Sequence, residues 1–426
     1  MSEVKFLKKL VKKWCEISLI IRIIVALFFG VLFGIFLPFA TWISSFGTVF
    51  VGAMKAIAPL LVFTVVCASV AQANGDIGKR FKTVLLLYAL NTVCAAIIAV
   101  LGSILFPVKI KLATAVAESV SQNSPGSLAE VFLHLLSNVV QNPIVSMSSG
   151  NYLGILFWAV VLGISVKKVA GQGTIQMLSD ISKAISQIVK GIIQLAPFGI
   201  FGLVYKAVCE SGVEVFRDYG KLLLLLVGCM LVSVFVANPV IVGIFLKRNP
   251  FPLIFKCLKE SGISAFFTRS SAANIPVNMN LCQRLGLDKD FYSVSIPLGS
   301  TINVSGATVT ITVMALAVCH TLGIKVDFST SLMLSLLAAI SAPGAPGVTG
   351  GSLLLIPMAC SLFGVGNEAA MQAVGVGFII GVVQDSFETA LNSSGDALFT
   401  ATAEYVERRK KGKEINFLGE FSKDKS

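Results

Sequence analysis

The sequence predicts an all-α polytopic membrane protein: eight transmembrane helices plus two re-entrant helical hairpins, with inverted repeats in the second half. Three observations predict it. The 426 residues are 55% hydrophobic and only 13% charged, with a mean hydropathy of +0.85, where a soluble chain carries about 25% charged residues. Apolar runs long enough to cross a bilayer recur along the chain. Late in the chain, short apolar arms alternate with Gly-, Pro- and Ser-rich breaks, and one further apolar segment carries a row of acidic and amide side chains.

The net charge of +12 fits cytoplasmic loops beside anionic lipid. No basic–aromatic interleaving points to nucleic acid. The 9 cysteines form no CxxC pair, and most, such as Cys67, Cys94, Cys229, Cys319 and Cys360, sit in apolar runs as small buried hydrophobes. The histidines, His134 and His320, have no cluster of further ligands. A membrane enzyme would need a nucleophile and base held by a third group, and no histidine or cysteine shows that pattern.

Taken in order, residues 1–16 read as an interfacial amphipathic helix, with Lys8, Lys9, Lys12 and Lys13 holding that end in the cytoplasm. The apolar run continues to Phe39 without a small-residue cleavage site, so the first span is expected to be uncleaved. Spans are expected at 17–37, 46–70, 83–106, 152–169, 181–207 and 222–245. The basic segments containing Lys79, Arg80 and Lys82, Lys167 and Lys168, and Lys247 and Arg248 place their loops inside. Residues 107–151 are expected to form an external loop with a short helix near 128–140. Residues 17–250 are therefore assigned mainly to a scaffold, the third span contributing to the core, and 406–426 to a cytoplasmic tail.

Residues 251–405 do not read as ordinary crossings. The arm 253–267 breaks at 268–276, and a second short arm runs to 287. Neither arm is long enough to cross, which predicts a re-entrant hairpin. A long span at 291–321 is interrupted at 299–307. The arrangement recurs with a short arm at 328–340, a Gly/Pro break at 341–351 and a further arm at 352–363. Such interrupted segments point to a substrate site, because irregular backbone at membrane depth survives only where it is buried or lines a cavity.

The segment 375–405 organises the rest. With Asp385 as origin, Glu388, Thr389, Asn392 and Asp396 lie at i+3, i+4, i+7 and i+11, one narrow arc of a helix. Three carboxylates on one face of an apolar helix must look into a bundle, a cavity or a bound cation. The N–H groups of a hairpin tip suit a carboxylate, and Ser270 and Ser271 add hydroxyl groups. Asp385 suits an ammonium group. Carbonyls of Gly299, Asn303 and Asn392, with the charge of Asp396, suit a dehydrated Na⁺, and Thr301 of the same broken stretch joins the candidate Na⁺ ligands. An unpaired carboxylate in such a site costs several kcal/mol, so cation and substrate binding are expected to be coupled. No organic cofactor is expected.

The stretches RSSAANIP (269–276), NVSGA (303–307), GAPG (344–347) and QDSFETALNSSGD (384–396) resemble the dicarboxylate/amino acid:cation symporter family, and within it the bacterial sodium:serine/threonine branch. The likeness covers 267–405, and more weakly the first half through MKAIAPLLVF (54–63). It implies a glutamate-transporter-like fold, a homotrimer, and a transport core that moves like an elevator with the second hairpin as extracellular gate. It places the substrate carboxylate on Ser270 and Ser271, near Asn392 and the backbone of Gly344, Ala345, Pro346 and Gly347. It pairs the ammonium with Asp385, assisted by Thr389.

Two departures from the acidic-amino-acid members bear on the substrate. Glu388 stands where those members carry the arginine that holds a side-chain carboxylate. It is expected either to accept a substrate hydroxyl or to pair with Arg269 and close the pocket to acids. Ser305 replaces the aspartate of a deep sodium site to which Tyr88, Asn91 and Thr92 would correspond, so that site is expected to be weak or absent. The expected function is Na⁺-coupled import of L-serine and L-threonine across a bacterial inner membrane, with both termini cytoplasmic. An acidic amino acid or C4-dicarboxylate symporter of the same fold is the alternative.

Overall fold

The computed structural model describes residues 17–72, 79–111, 140–149, 151–341 and 350–412. The expected helices at 1–16 and 128–139 and most of the tail lie outside the described residues. The first helix, α1 (Leu19–Phe36), is capped by Ser18, whose hydroxyl accepts from the Ile21 amide. A 3₁₀ turn, Thr41–Ile43, leads into α2 (Ser44–Gln72), then α3 (Lys79–Leu105), the short α4 (Pro143–Ser149) and α5 (Tyr152–Val169). The α1 sequence places Gly30 and Gly34 one turn apart, and α7 (Ala196–Ser211) presses Val204 and Val208 onto them. A Cβ at Gly30 would stand 2.9 Å from Val204 Cβ, and one at Gly34 2.7 Å from Val208 Cβ. Small residues of this spacing let membrane helices approach closely.

One expected crossing is two helices. Residues 181–207 fall in α6 (Gln172–Gln194) and α7, which meet at Leu195 with a bend of 51°. Pro197 stands in the first turn of α7, where its missing N–H breaks no helical bond, so the chain restarts in a new direction. The next span, α8 (Val215–Leu246), carries a π-turn at Ser233–Ala237 just before Pro239, a common local response to a proline.

The first hairpin has arms α9 (251–268) and α10 (Ser271–Arg284). A second π-turn, Leu258–Gly262, lies inside α9. The break is narrower than expected, because only Arg269 and Ser270 leave the helical conformation. Arg269 is left-handed (φ 49°), and the Ser270 hydroxyl accepts from the Ala273 amide to start α10, which holds Pro276 within it. The broken span is α11 (Lys289–Ile302) and α12 (Ser305–Leu322), joined by Asn303 and Val304 alone. The second hairpin has α13 (Phe328–Ser341) and a return arm made of a 3₁₀ turn, Gly351–Leu355, and α14 (Ile356–Leu362). Residues 342–349, where the sequence predicts the Gly/Pro break, lie outside the described residues. The last helix, α15 (Asn367–Lys410), runs 44 residues without a break.

Among the described residues, five helices are long and apolar enough to cross a membrane, six if the bent α6–α7 pair is one span. The chain is therefore a multi-pass membrane protein. The apolar part of α1 and the second hairpin's arms are shorter apolar helices, so length and composition do not by themselves reach eight.

Packing divides the helices. α1, α2, α5, α6 and α7 pack mainly on one another, while α3 and α9–α15 form a second group. α8 packs on α3, α12 and α15, and so joins that second group. The groups touch at α2 and α15, where the Phe50 and Phe378 rings meet edge to face at 4.9 Å.

Candidate functional site

α15 buries Asp385, Glu388, Thr389, Asn392 and Asp396 in the interior of the second group. Helical periodicity aligns them, and the broken elements around α15 supply polar partners. Asp385 Oδ1 accepts from the amide of Gly350, at the start of the second hairpin's return arm, at 3.1 Å. Its Oδ2 lies 3.9 Å from Nε of Arg269 at the tip of the first hairpin. Both side chains are at most 5% exposed, so this is a desolvated pair bridging the hairpins. Arg269 extends from one of the two left-handed non-glycine positions among the described residues, a conformation that clusters at functional sites.

Glu388 is held differently. Thr310 Oγ1, Gln384 Nε2 and Ser352 Oγ converge on its Oε2 at 2.6, 2.6 and 2.8 Å. These donors come from α12, α15 itself and the return arm of the second hairpin, and all are uncharged. Of the two roles expected for Glu388, pairing with Arg269 has less support from the geometry, because Arg269 faces Asp385. Thr389 is buried on the same arc.

One turn further on, the broken span meets α15. Asn303 Nδ2 donates to the Asn392 carbonyl at 2.8 Å and to Asp396 Oδ1 at 3.0 Å. The Gly306 amide donates to Asn392 Oδ1 at 2.7 Å. Asp396 Oδ2 accepts no hydrogen bond, although the residue is fully buried. A carboxylate oxygen buried without a partner in this way needs a proton or a bound cation. The Gly299 carbonyl, expected to be freed by the break, still accepts from the Asn303 amide at 2.9 Å, because Gly299 remains inside α11. It keeps its second lone pair. Thr301 does not join this set through its side chain: it is exposed, and its hydroxyl points to the Pro297 carbonyl at 3.4 Å.

Ser270 and Ser271 stand at the N-terminus of α10, next in the chain to Arg269; Ser271 is buried and Ser270 half-buried. Gly344, Ala345, Pro346 and Gly347 lie outside the described residues.

A family model for sodium:dicarboxylate symporters matches residues 19–405. The chain belongs to the sodium:dicarboxylate symporter family. Its similarity extends to curated proteins at near full length. A serine/threonine transporter of Bifidobacterium adolescentis is 53% identical over 398 residues, covering 93% of this chain and 92% of that protein. Serine/threonine transporters of Streptococcus agalactiae and Streptococcus thermophilus are 52% and 51% identical, each over 93% of this chain and 98% of its own length. As a sodium:dicarboxylate symporter family member the chain is a transporter, not an enzyme.

Within that family frame, the surroundings of Ser305 can be described. Tyr88 reaches the same layer as Asp396: a Cβ on Gly299 would lie 2.5 Å from the Tyr88 hydroxyl and 2.9 Å from Asp396 Oδ1. Asn91 donates to Asn303 Oδ1 at 3.4 Å. Thr92 turns its hydroxyl back to the Tyr88 carbonyl, and the Ser305 hydroxyl is buried without a partner.

Sequence reasoning missed Gln384, Thr310 and Ser352. Gln384 lies four residues before Glu388 on the same face, and Thr310 sits in a run of buried threonines on α12; both signals are readable. It also missed the lock between the first hairpin and α15. Asn274 Nδ2 donates to Ser261 Oγ (2.9 Å) and Ser393 Oγ (2.8 Å), and Asn278 Nδ2 to the Ser393 carbonyl (2.9 Å). Asn274 and Asn278 are one turn apart on α10, the spacing that lets both reach one partner helix.

Proposed function

We propose that the chain imports L-serine and L-threonine with inward Na⁺ flow across the bacterial inner membrane, as a homotrimer with both termini cytoplasmic. In this reading α1, α2 and α5–α7 are scaffold, and the second helix group is a core that moves like an elevator, with the second hairpin as gate. The eight-span, two-hairpin inverted-repeat architecture and the lipid-facing scaffold belong to the same proposal.

The observation that carries it is Glu388, a buried carboxylate one turn from Asp385 and held by neutral donors. An acidic substrate side chain would bring a second carboxylate to this place, and like charges in a desolvated site cost several kcal/mol. A hydroxyl brings a donor. The relatives named as serine/threonine transporters support the same substrate class.

The roles follow. Ser270, Ser271 and the α10 N-terminus receive the substrate carboxylate, with Asn392 and the 344–347 backbone on the other side. Asp385 receives the ammonium, with Thr389 beside it. The carbonyls of Gly299, Asn303 and Asn392 and the Asp396 carboxylate hold Na⁺, and Thr301 contributes through its backbone alone. Asn392 carries the coupling: its carbonyl belongs to the cation site, while its side chain fixes the start of α12.

The test is uptake of radiolabelled serine into proteoliposomes with and without an inward Na⁺ gradient, competed by threonine, glutamate and succinate. Sodium-dependent uptake blocked by threonine and not by glutamate is expected. Block by glutamate or succinate overturns the substrate assignment in favour of the acidic branch, where Arg269 would serve as the cation for the side chain.

A further inference from the structure

We propose that Gln384, with Thr310 and Ser352, forms a donor clamp that sets hydroxyl selectivity by engaging one oxygen of Glu388 and leaving the other for the substrate. This rests on the serine/threonine reading above and names the residues that enforce it.

The geometry is a closed triangle with one addition. Gln384 Nε2 donates to Glu388 Oε2 at 2.6 Å and to Thr310 Oγ1 at 2.7 Å. Thr310 Oγ1 donates in turn to Glu388 Oε2 at 2.6 Å. Ser352 adds a third donor at 2.8 Å. A carboxylate oxygen has about two lone-pair directions, so three donors exhaust Oε2. What Glu388 retains is the acceptor capacity of Oε1. That oxygen takes one O–H and has no donor to offer a carboxylate.

The Gln384 amide is oriented by this arrangement. With Nε2 on the carboxylate, its Oε1 is buried without a partner. A buried acceptor left unpaired is destabilising, and turning the amide over would set oxygen against oxygen. Leucine or methionine would fill the same place without that penalty. The donor is therefore the property for which glutamine suits this position. Gly306 leaves room for the stem of Glu388: a Cβ there would stand 3.0 Å from Glu388 Cγ.

Ser352 belongs to the second hairpin, so the clamp is complete only while that arm rests on α15. Selectivity is then read in the closed arrangement, when the site has been desolvated. A site built to bind a hydroxyl discriminates strongly against an analogue lacking it, and alanine is that analogue of serine. Gln384 acts through Glu388 and is a positioning residue.

The test is the ratio of inhibition constants for serine and alanine against radiolabelled serine uptake in proteoliposomes of the full chain. In Gln384→Met the serine constant is expected to rise roughly tenfold while the alanine constant stays within about twofold. Thr310→Val is expected to move the ratio in the same direction, and it guards against poor folding of the first variant. A merely structural role lowers the maximal rate and leaves the ratio where it was. An unchanged ratio in both variants, or equal shifts for both amino acids, overturns the clamp. If the parent takes up no serine at all, the substrate reading itself fails, which is a separate outcome.

Discussion

The guanidinium of Arg269 and the carboxylate of Asp385 lie 3.9 Å apart in the buried centre of the transporter, joining the tip of the first hairpin to α15. The same carboxylate accepts from Gly350 of the second hairpin. One aspartate therefore ties both hairpins to the last helix, and in the proposed mechanism a substrate ammonium would compete with Arg269 for it.

Asp385→Asn is expected to abolish serine uptake and to lower thermal stability in detergent. Removing one partner of a buried ion pair costs about 3 kcal/mol, and the ammonium loses its counter-charge. Retained serine affinity by equilibrium binding contradicts the ammonium role.

Asp396→Asn is expected to act on Na⁺ rather than on serine. Its Oδ2 has no protein partner, so removing the charge raises the Na⁺ concentration for half-maximal uptake by about tenfold or more, a loss of about 1.4 kcal/mol or more. In Na⁺-free buffer the variant is expected to be at least as stable as the parent, because a buried uncompensated charge is gone. A Na⁺ dependence like the parent's removes Asp396 from the cation site.

Gly306→Ala tests how closely α12 approaches α15. The added Cβ would stand 2.8 Å from the Glu388 carbonyl and 3.1 Å from Asn392 Oδ1. A backbone carbonyl of a packed helix does not yield, so about 1–3 kcal/mol of destabilisation is expected. Displacement of Asn392 should carry with it a loss of Na⁺-coupled uptake. Wild-type stability and uptake in this variant refute the close approach.

Away from the buried site, Arg80 Nη1 lies 2.6 Å from Asp288 Oδ2, both side chains about one-third or more exposed. Asp288 also accepts from the Asp290 amide to start α11, and its own amide donates to Glu404, which Arg408 joins. The Arg80 hydrogen bond, opposed by desolvation, holds the Asp288 carboxyl below its ordinary range. A folded-state pKa below the unfolded value gives stability that is present above about pH 4 and lost as pH falls through the folded pKa. Asp288→Asn keeps the cap, because asparagine caps as well as aspartate, and removes the ion pair. It is expected to lower stability at pH 7 by less than about 1 kcal/mol and to flatten thermal stability between pH 5 and 3. An unchanged acid limb in that variant would show that other carboxylates set it.

Much of this arrangement was legible in the sequence. The span at 152–169 and the α15 arc follow from hydropathy and from a period of 3.6. The positions of the hairpins follow from arms too short to cross. The break lengths were not legible: Ser270 capping α10 and the two-residue Asn303–Val304 joint are local hydrogen-bond choices, which Gly, Pro and Ser content overstates. The α6–α7 bend and the two π-turns were also missed, since hydropathy is blind to helix direction.

By itself the sequence determined the order of the apolar segments, which of them are interrupted, and which face of α15 carries charge, because each depends on residues near one another in the chain. Only the tertiary structure decided that Arg269 meets Asp385, that Glu388 is held by donors from α12, α15 and the second hairpin, and that α8 packs on α3, α12 and α15. Arg409 of α15 donates to the Leu246 carbonyl of α8 across 163 positions of the chain. A buried charge takes whichever donors the packed helices bring to it, and no local pattern states which helix that will be.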